Sequence, residues 1–308
     1  MTDDSCSIRL DSPFGLIAGS GRFPLEVARN ARAQGVEVIA VAHKGETDPI
    51  IESLASHCTW VRVGELGKLL RAFSKKGVKQ AAFAGAISRP KLFAGVKLDW
   101  QGLALIARAR SVKDDAILRA VAEELERLGI KVVPGSMLLK ESQPPAGLLT
   151  RRDFSPDEWR DALVGWDAAK TLGEADIGQT VVALEGVVVA VEAVEGTDAT
   201  IKRAGELSRR AGKAGRPGVF SRGRRGLVVV KVCKPGQDQR IDLPTIGEKT
   251  LYVMQEAGAA ALLLEAGKSI IIDPLTVVKK ANQAGIAIRL AESRAEVVSA
   301  GKKTLAVG

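Results

Sequence analysis

The sequence predicts an α/β protein of two domains, and three observations carry that reading. Short apolar runs alternate with amphipathic stretches through the first half, separated by glycine-punctuated turns. Between Lys140 and Trp159 the alternation stops. Valine-rich runs then return in the second half, with helical segments around them. Strand–helix–strand units with short turns build parallel sheets covered on both faces. At 308 residues the chain also exceeds what one core usually serves, since domains run to about 100–200 residues.

Phe14–Ala18 (FGLIA) is apolar and ends in a Gly-rich turn, as a buried strand does. A helix is expected over 25–34, closed by Gly35. Residues 36–42 read as the second strand, 67–76 as a helix ending at Gly77, and 81–84 as the third strand. An amphipathic helix over 112–128 ends at Gly129, before a strand at 130–133. Together these predict a doubly wound, Rossmann-like parallel sheet over 14–145, with 1–13 a disordered extension. Residues 146–160, within the Pro-rich, charged and polar stretch between Lys140 and Trp159, are expected to be the linker, and 161–308 the second, C-terminal α/β domain. There a helix is expected over 161–172, strands over 180–184 and 187–193 joined by a tight hairpin at Gly186, and another strand over 227–232. A helix over 250–257, strand runs at 260–264 and 269–272, and a helix from Leu275 follow. Residues 209–225, dense in Lys, Arg and Gly, read as a mobile basic loop.

Composition removes several function classes. Three scattered cysteines without CxxC spacing argue against a disulfide framework and a cysteine zinc site. Only His43 and His57 are present, so an HExxH metalloprotease is excluded. No secretory leader and no membrane span is visible, which predicts a cytoplasmic protein. The formal charge of +9 suits an anionic partner: a nucleic acid, an anionic lipid surface or a phosphorylated small molecule. One Tyr, seven Phe and no recognisable motif argue against nucleic acid.

Five constellations carry candidate chemistry. Gly15-Leu-Ile-Ala-Gly-Ser-Gly21 follows a strand and precedes a helix, so its backbone N–H groups suit a phosphate-bearing ligand. Its G-x-x-x-G-x-G spacing, and Ala42-His43-Lys44 where an acid should meet ribose, argue against NAD. Phe83-Ala-Gly-Ala-Ile-Ser-Arg-Pro90 sits at a strand's carboxyl end, where Ser88 offers a hydroxyl and Arg89 a fork for phosphate. Lys113-Asp114-Asp115 reads either as a helix cap or as a metal or hydroxyl site. Ile177-Gly178-Gln179 and Glu195-Gly196-Thr197-Asp198 crowd small, polar and acidic residues at strand ends, as a turn or as a site for ribose, phosphate or a hard metal. The stretch from Val230 to Gly247 holds Lys231, Lys234 and Arg240 to offset phosphate charge, and Asp238 and Asp242 to hold Mg²⁺. A water polarised by such a metal can attack phosphorus.

The motifs GLIAGSGRFP, FAGAISRP, KDDAILR, DIGQ, VEAVEGTDA and RIDLPTIG occur in that order. Together they resemble the LpxI-type UDP-2,3-diacylglucosamine pyrophosphatases of lipid A biosynthesis, from about Phe14 to the region of Leu290. The resemblance implies a two-domain enzyme whose site lies in the cleft between the domains. It implies Mg²⁺ (or Mn²⁺), homodimers, and hydrolysis of UDP-2,3-diacylglucosamine to UMP and 2,3-diacylglucosamine 1-phosphate (lipid X). On the same footing Asp242 is the essential acid and metal ligand, with Asp238 second; Gly19, Ser20, Gly21, Ala86, Ile87, Ser88, Gly178, Gln179, Thr197 and Asp198 contact substrate. Arg89 and Lys234 are expected beside them, and Lys231 and Arg240 at the diphosphate. The basic excess suggests peripheral contact with the inner membrane. The alternative is a nucleotide-sugar-binding module that does no chemistry.

Overall fold

The computed structural model describes residues 10–87, 99–102, 114–213, 226–241 and 243–307. The chain divides into two compact units: one runs to Lys140 and takes in a later segment starting at Asp238, and the other holds the rest.

In the first unit, apolar runs of five or six residues form strands buried along their length: β1 (Phe14–Ala18), β2 (Val38–His43) and β4 (Gln80–Ala84). Two shorter-patterned strands, β3 (His57–Val61) and β5 (Lys131–Val132), flank them. All neighbours are parallel, in the order β3-β2-β1-β4-β5. The helices are α1 (Phe23–Ala33), α2 (Ile51–Leu54), α3 (Leu66–Lys75) and α4 (Asp114–Arg127). The parallel sheet agrees with expectation, but the strand at 81–84 is the fourth, not the third. The one overlooked, β3, is mostly half-exposed and carries His, Cys and Thr, so it lacks the continuous apolar signal of its neighbours. Asp11 donates its N–H to Gln80 and Ser12 Oγ accepts from the Glu37 N–H, so the start of the described chain is fastened to the sheet.

The second unit has a six-stranded sheet ordered β6-β13-β11-β9-β7-β8. Its strands are β6 (Gly147–Leu148), β7 (Thr180–Leu184), β8 (Val187–Val191), β9 (Leu227–Lys231), β11 (Ala259–Glu265) and β13 (Ala287–Ala291). A two-stranded pair joins β10 (Thr245–Ile246) and β12 (Ile270–Ile271). The helices are α5 (Pro156–Glu174), α6 (Thr197–Lys213), α7 (Glu248–Ala257), α8 (Pro274–Ala284) and α9 (Arg294–Val307). Alternation along β9 separates two cores. Val228 and Val230 pack with Trp159 and Trp166 of α5 and Val297 of α9, whereas Leu227 and Val229 pack with Ile201 of α6, Met254 of α7 and Val277 of α8. The sheet is mixed, because β7 runs antiparallel to β9.

The stretch 146–160, expected as linker, holds β6 and the first turn of α5, which opens with a reciprocal Ser155–Glu158 capping box. The expected basic loop begins inside α6, which reaches Lys213; residues 214–225 lie outside the described residues. Helix α6 escapes a hydropathy reading because few apolar side chains, among them the fully buried Ile201 and Ala204, mark its inward face.

The predicted hairpin is present: Leu184 pairs with Val187 across Glu185 and Gly186, both at positive φ (53° and 79°), the geometry a two-residue turn needs. Asp161 of α5, 3% exposed, accepts from the N–H groups of Glu185 (2.9 Å) and Gly186 (2.5 Å). Replacing Asp161 with alanine strands both donors; urea denaturation should show a loss of about 2–4 kcal/mol.

Candidate active site

In the first unit, β1 and β4 are the neighbours from which the chain departs in opposite directions, the switch point where open α/β sheets bind ligands. The turn Gly19–Gly21 follows β1, and Gly85, Ala86 and Ile87 follow β4. The two loops touch. Gly19 donates its N–H to Ala84 O (2.8 Å), and Ser20 donates both N–H (2.7 Å) and Oγ–H (2.8 Å) to Ala86 O. A Cβ on Gly19 would lie 2.6 Å from Ala86 O, and one on Gly85 2.4 Å from Ser20 O. The glycines therefore serve close approach of two backbones. The expectation that this turn offers bare N–H groups to phosphate is corrected for Gly19 and Ser20, whose N–H groups are engaged. His43, at the end of β2, supports the same turn by donating Nδ1–H to Ala18 O (2.9 Å), and burial pulls its pKa down, so the ring is neutral. Ser88 and Arg89 lie outside the described residues, and of Asp114 and Asp115 only the backbone, at the start of α4, is described.

Arg240 also belongs to the first unit. Its guanidinium is spanned by two carboxylates, with Nη2 2.7 Å from Asp238 Oδ2 and Nη1 2.7 Å from Glu126 Oε1. The guanidinium holds the Asp238 carboxyl well below the usual range, and Asp238 foremost pushes the Arg240 pKa up. Ile241 packs on the core of this unit. Asp242 lies outside the described residues; the next residue, Leu243, is buried. Because its folded pKa is depressed, Asp238 stabilises the fold above its ordinary value near 3.8, and that contribution fades as pH falls through the depressed value. Thermal melts at stepped pH should therefore find Asp238→Asn below the wild type near neutrality, with the gap closing in acid.

The second unit brings together residues from four elements at the carboxyl end of β9. Because β7 is antiparallel, its first residue, Thr180, pairs with the last of β9, Lys231. The N–H of Glu192, just past β8, donates to Thr180 O (2.8 Å). Thr197 opens α6 beside them. Lys231 Nζ donates to Thr197 Oγ1 (3.0 Å) and to Thr245 O (2.9 Å). Thr197 Oγ1 donates to Glu192 Oε1 (3.2 Å) and stands 3.2 Å from Thr180 Oγ1. Lys231, Thr180 and Glu192 are buried, at 5%, 0% and 8% exposure. Two ionisable side chains are thus held at a sheet edge by one shared hydroxyl.

Of the other expected contacts, Asp198 sits in the first turn of α6, bonded to Lys249 Nζ (3.0 Å) and the Thr250 hydroxyl (3.4 Å). Gly178 abuts Glu192, whose carbonyl oxygen a Cβ would meet at 2.0 Å. Gln179 Oε1 is buried with no hydrogen-bond partner among the described residues. Lys234, buried, reaches Asp176 (2.8 Å) rather than the Lys231 cluster. Glu265, also buried, gathers Lys170 Nζ (2.6 Å), Lys268 Nζ (3.0 Å) and the Cys233 N–H (2.9 Å), fastening the turn after β9. Thr180, Glu192, Glu265 and Glu126 are the residues that sequence reasoning passed over as site members. The quoted VEAVEGTDA contained Glu192 without marking it.

Comparison with known proteins follows the same two parts. Residues 13–142 match the model of the LpxI N-terminal domain and 145–289 that of the LpxI C-terminal domain. The curated UDP-2,3-diacylglucosamine pyrophosphatase LpxI of Caulobacter vibrioides is 35% identical over 277 residues, 88% of this chain and 95% of that protein. Among solved structures, the biotin carboxylase of Campylobacter jejuni is 14% identical, covering 65% of this chain and 43% of that one (TM-score 0.22). The structure of gox2253 is 12% identical, covering 97% and 93% (TM-score 0.29). Two matching domain models and a relative aligned over nearly its whole length make the chain a member of the LpxI family.

Proposed function

We propose that the protein is a hydrolase of lipid A biosynthesis that cleaves the pyrophosphate bond of UDP-2,3-diacylglucosamine, giving UMP and 2,3-diacylglucosamine 1-phosphate. The observation that carries the reading is the relative of that activity, aligned over 95% of its length, with Lys231 buried at a sheet edge here. Water adds to one phosphorus, the bridging P–O bond breaks, and the departing phosphate keeps the bridging oxygen. Lys231 offsets the charge that builds on the diphosphate, an electrostatic contribution that dominates much phosphoryl chemistry. Its ammonium is aimed by Thr197 and Thr245, so no reorientation is needed when charge develops. Gly19–Gly21, the loop through Ala86 to Arg89, Gly178, Gln179, Thr197 and Asp198 are the substrate contacts in this reading; Arg240 and Lys234 are supporting cations.

Mg²⁺ (or Mn²⁺) belongs to the reading, with Asp242 as its assigned ligand. Within the second unit, the Thr180 hydroxyl and the Glu192 carboxylate meet Thr197, and the Thr245 carbonyl meets Lys231; these are oxygen donors of the type a hard cation takes. When bound, the ion polarises a phosphoryl oxygen and neutralises charge. Mg²⁺ keeps waters and substrate oxygens in its shell, so few protein ligands suffice to hold it. We further infer a homodimer, and separately a place at the cytoplasmic face of the inner membrane, which the +9 charge supports. No helix among the described residues is long and apolar enough to cross a membrane. Light scattering and flotation with anionic liposomes test these two points.

The deciding assay is hydrolysis of UDP-2,3-diacylglucosamine by purified protein, with Mg²⁺ and with EDTA. UMP and the sugar phosphate should appear only with metal. No product in either condition overturns the enzyme; product in EDTA removes the ion from its mechanism.

A further inference from the structure

The carboxylate of Glu192 has a deficit that the rest of its network lacks. Thr197 Oγ1 is fully used: it accepts from Lys231 Nζ and from the Thr180 hydroxyl, and its single proton goes to Glu192 Oε1. That direction is fixed, because Lys231 has only donors and the ionised carboxylate only acceptors. Oε2 of Glu192 is sealed from solvent and has no hydrogen-bond partner among the described residues, although Glu192 as a whole is 8% exposed. A buried, unpaired carboxylate oxygen is costly, and a protein that keeps one has a further partner for it. Lys231 does not fill the place: among the described residues its ammonium bonds Thr197 and Thr245, and none of its bonds reaches Oε2.

We propose that Glu192 Oε2 is a ligand of a small, hard divalent cation, Mg²⁺ or Mn²⁺. The proposal deepens the pyrophosphatase reading of the same edge and rests on it for the phosphate that would share the ion. Oε2 carries a full set of lone pairs, and among the described residues no proton donor competes for them. Lys231 and Glu192 cancel in charge, so a bound dication leaves this edge net positive, complementary to a diphosphate. The hairpin and the α6 N-terminus fix Glu192 from both sides, through Thr180 O on its N–H and Thr197 on Oε1.

The test is Mn²⁺ titration of the full-length protein, followed by loss of the free-ion EPR signal, alone and with UMP. Wild type should bind Mn²⁺, and Glu192→Gln should bind it at least about tenfold more weakly, with UMP affinity in EDTA unchanged. A variant that binds Mn²⁺ like the wild type overturns the proposal, as does a wild type that binds none. Should Glu192→Gln fail to fold, Glu192→Asp carries the test, because its shorter reach should still weaken Mn²⁺ while the charge is kept. Glu192-dependent Mn²⁺ binding in a protein that does not cleave the substrate would uphold the ligand and overturn the pyrophosphatase. Cleavage with unaltered Mn²⁺ binding in the variant would do the reverse.

Discussion

Replacing Asp242 with alanine is expected to lower kcat on the order of 10²–10⁴-fold while leaving UMP affinity near that of the wild type. The reason for so unequal an effect is where the residue stands. It follows Ile241, packed on the first unit's core, and precedes the buried Leu243, so alanine at 242 leaves both anchors in place. The preceding turn is closed by the Ile241 N–H to Asp238 O bond (3.0 Å) and by the Arg240 clamp, neither of which uses Asp242. What alanine removes is a carboxylate that would hold a cation or orient water, interactions that strengthen as charge develops. Single-turnover kinetics and UMP calorimetry on the one variant read both halves. A loss of only a few-fold in turnover would mean that the acid required for chemistry is another residue.

The sheets were legible in the sequence wherever a strand is buried on both faces. FGLIA and TVVAL give their ends to the residue, because every position is apolar or small and the turns are marked by glycine. β3, β6 and β13 were not legible. Two carry polar or charged positions at half-exposed sites, and β6 has only two residues. The same distinction governs the site. The Gly19 turn and the Gly85 loop advertise themselves as glycines at strand ends, yet their chemical role, the contact of the two backbones, exists only once β1 and β4 are neighbours. Glu192 was hidden by a single residue. A regular hairpin closed at Glu185-Gly186 sets Thr180 against Val191 and turns Glu192 away. The register shift between Val182 and Ala183 adds one residue to β8, which brings Glu192 opposite Thr180. No pattern of hydropathy announces that bulge, so the buried carboxylate and its lysine could not be paired from the sequence.

Lys231→Met is expected to cut kcat/KM by about 10²–10³-fold, the range seen when one preorganised charge-stabilising group is removed. It should also lower stability by about 1–3 kcal/mol, because Thr245 O loses its donor and the buried Glu192 loses its compensating charge. The two losses have different causes, and a second substitution separates them. Lys231→Met combined with Glu192→Gln removes both charges from a region whose remaining hydroxyls can still pair, and buried ion networks replaced whole by neutral groups are often no less stable. The double variant should therefore regain most of the lost stability in urea denaturation and none of the lost turnover. Recovery of turnover along with stability would make Lys231 a structural residue. Stability without turnover would mean that the buried Lys231 and Glu192 are retained together for chemistry, since the fold alone is served as well by neutral side chains.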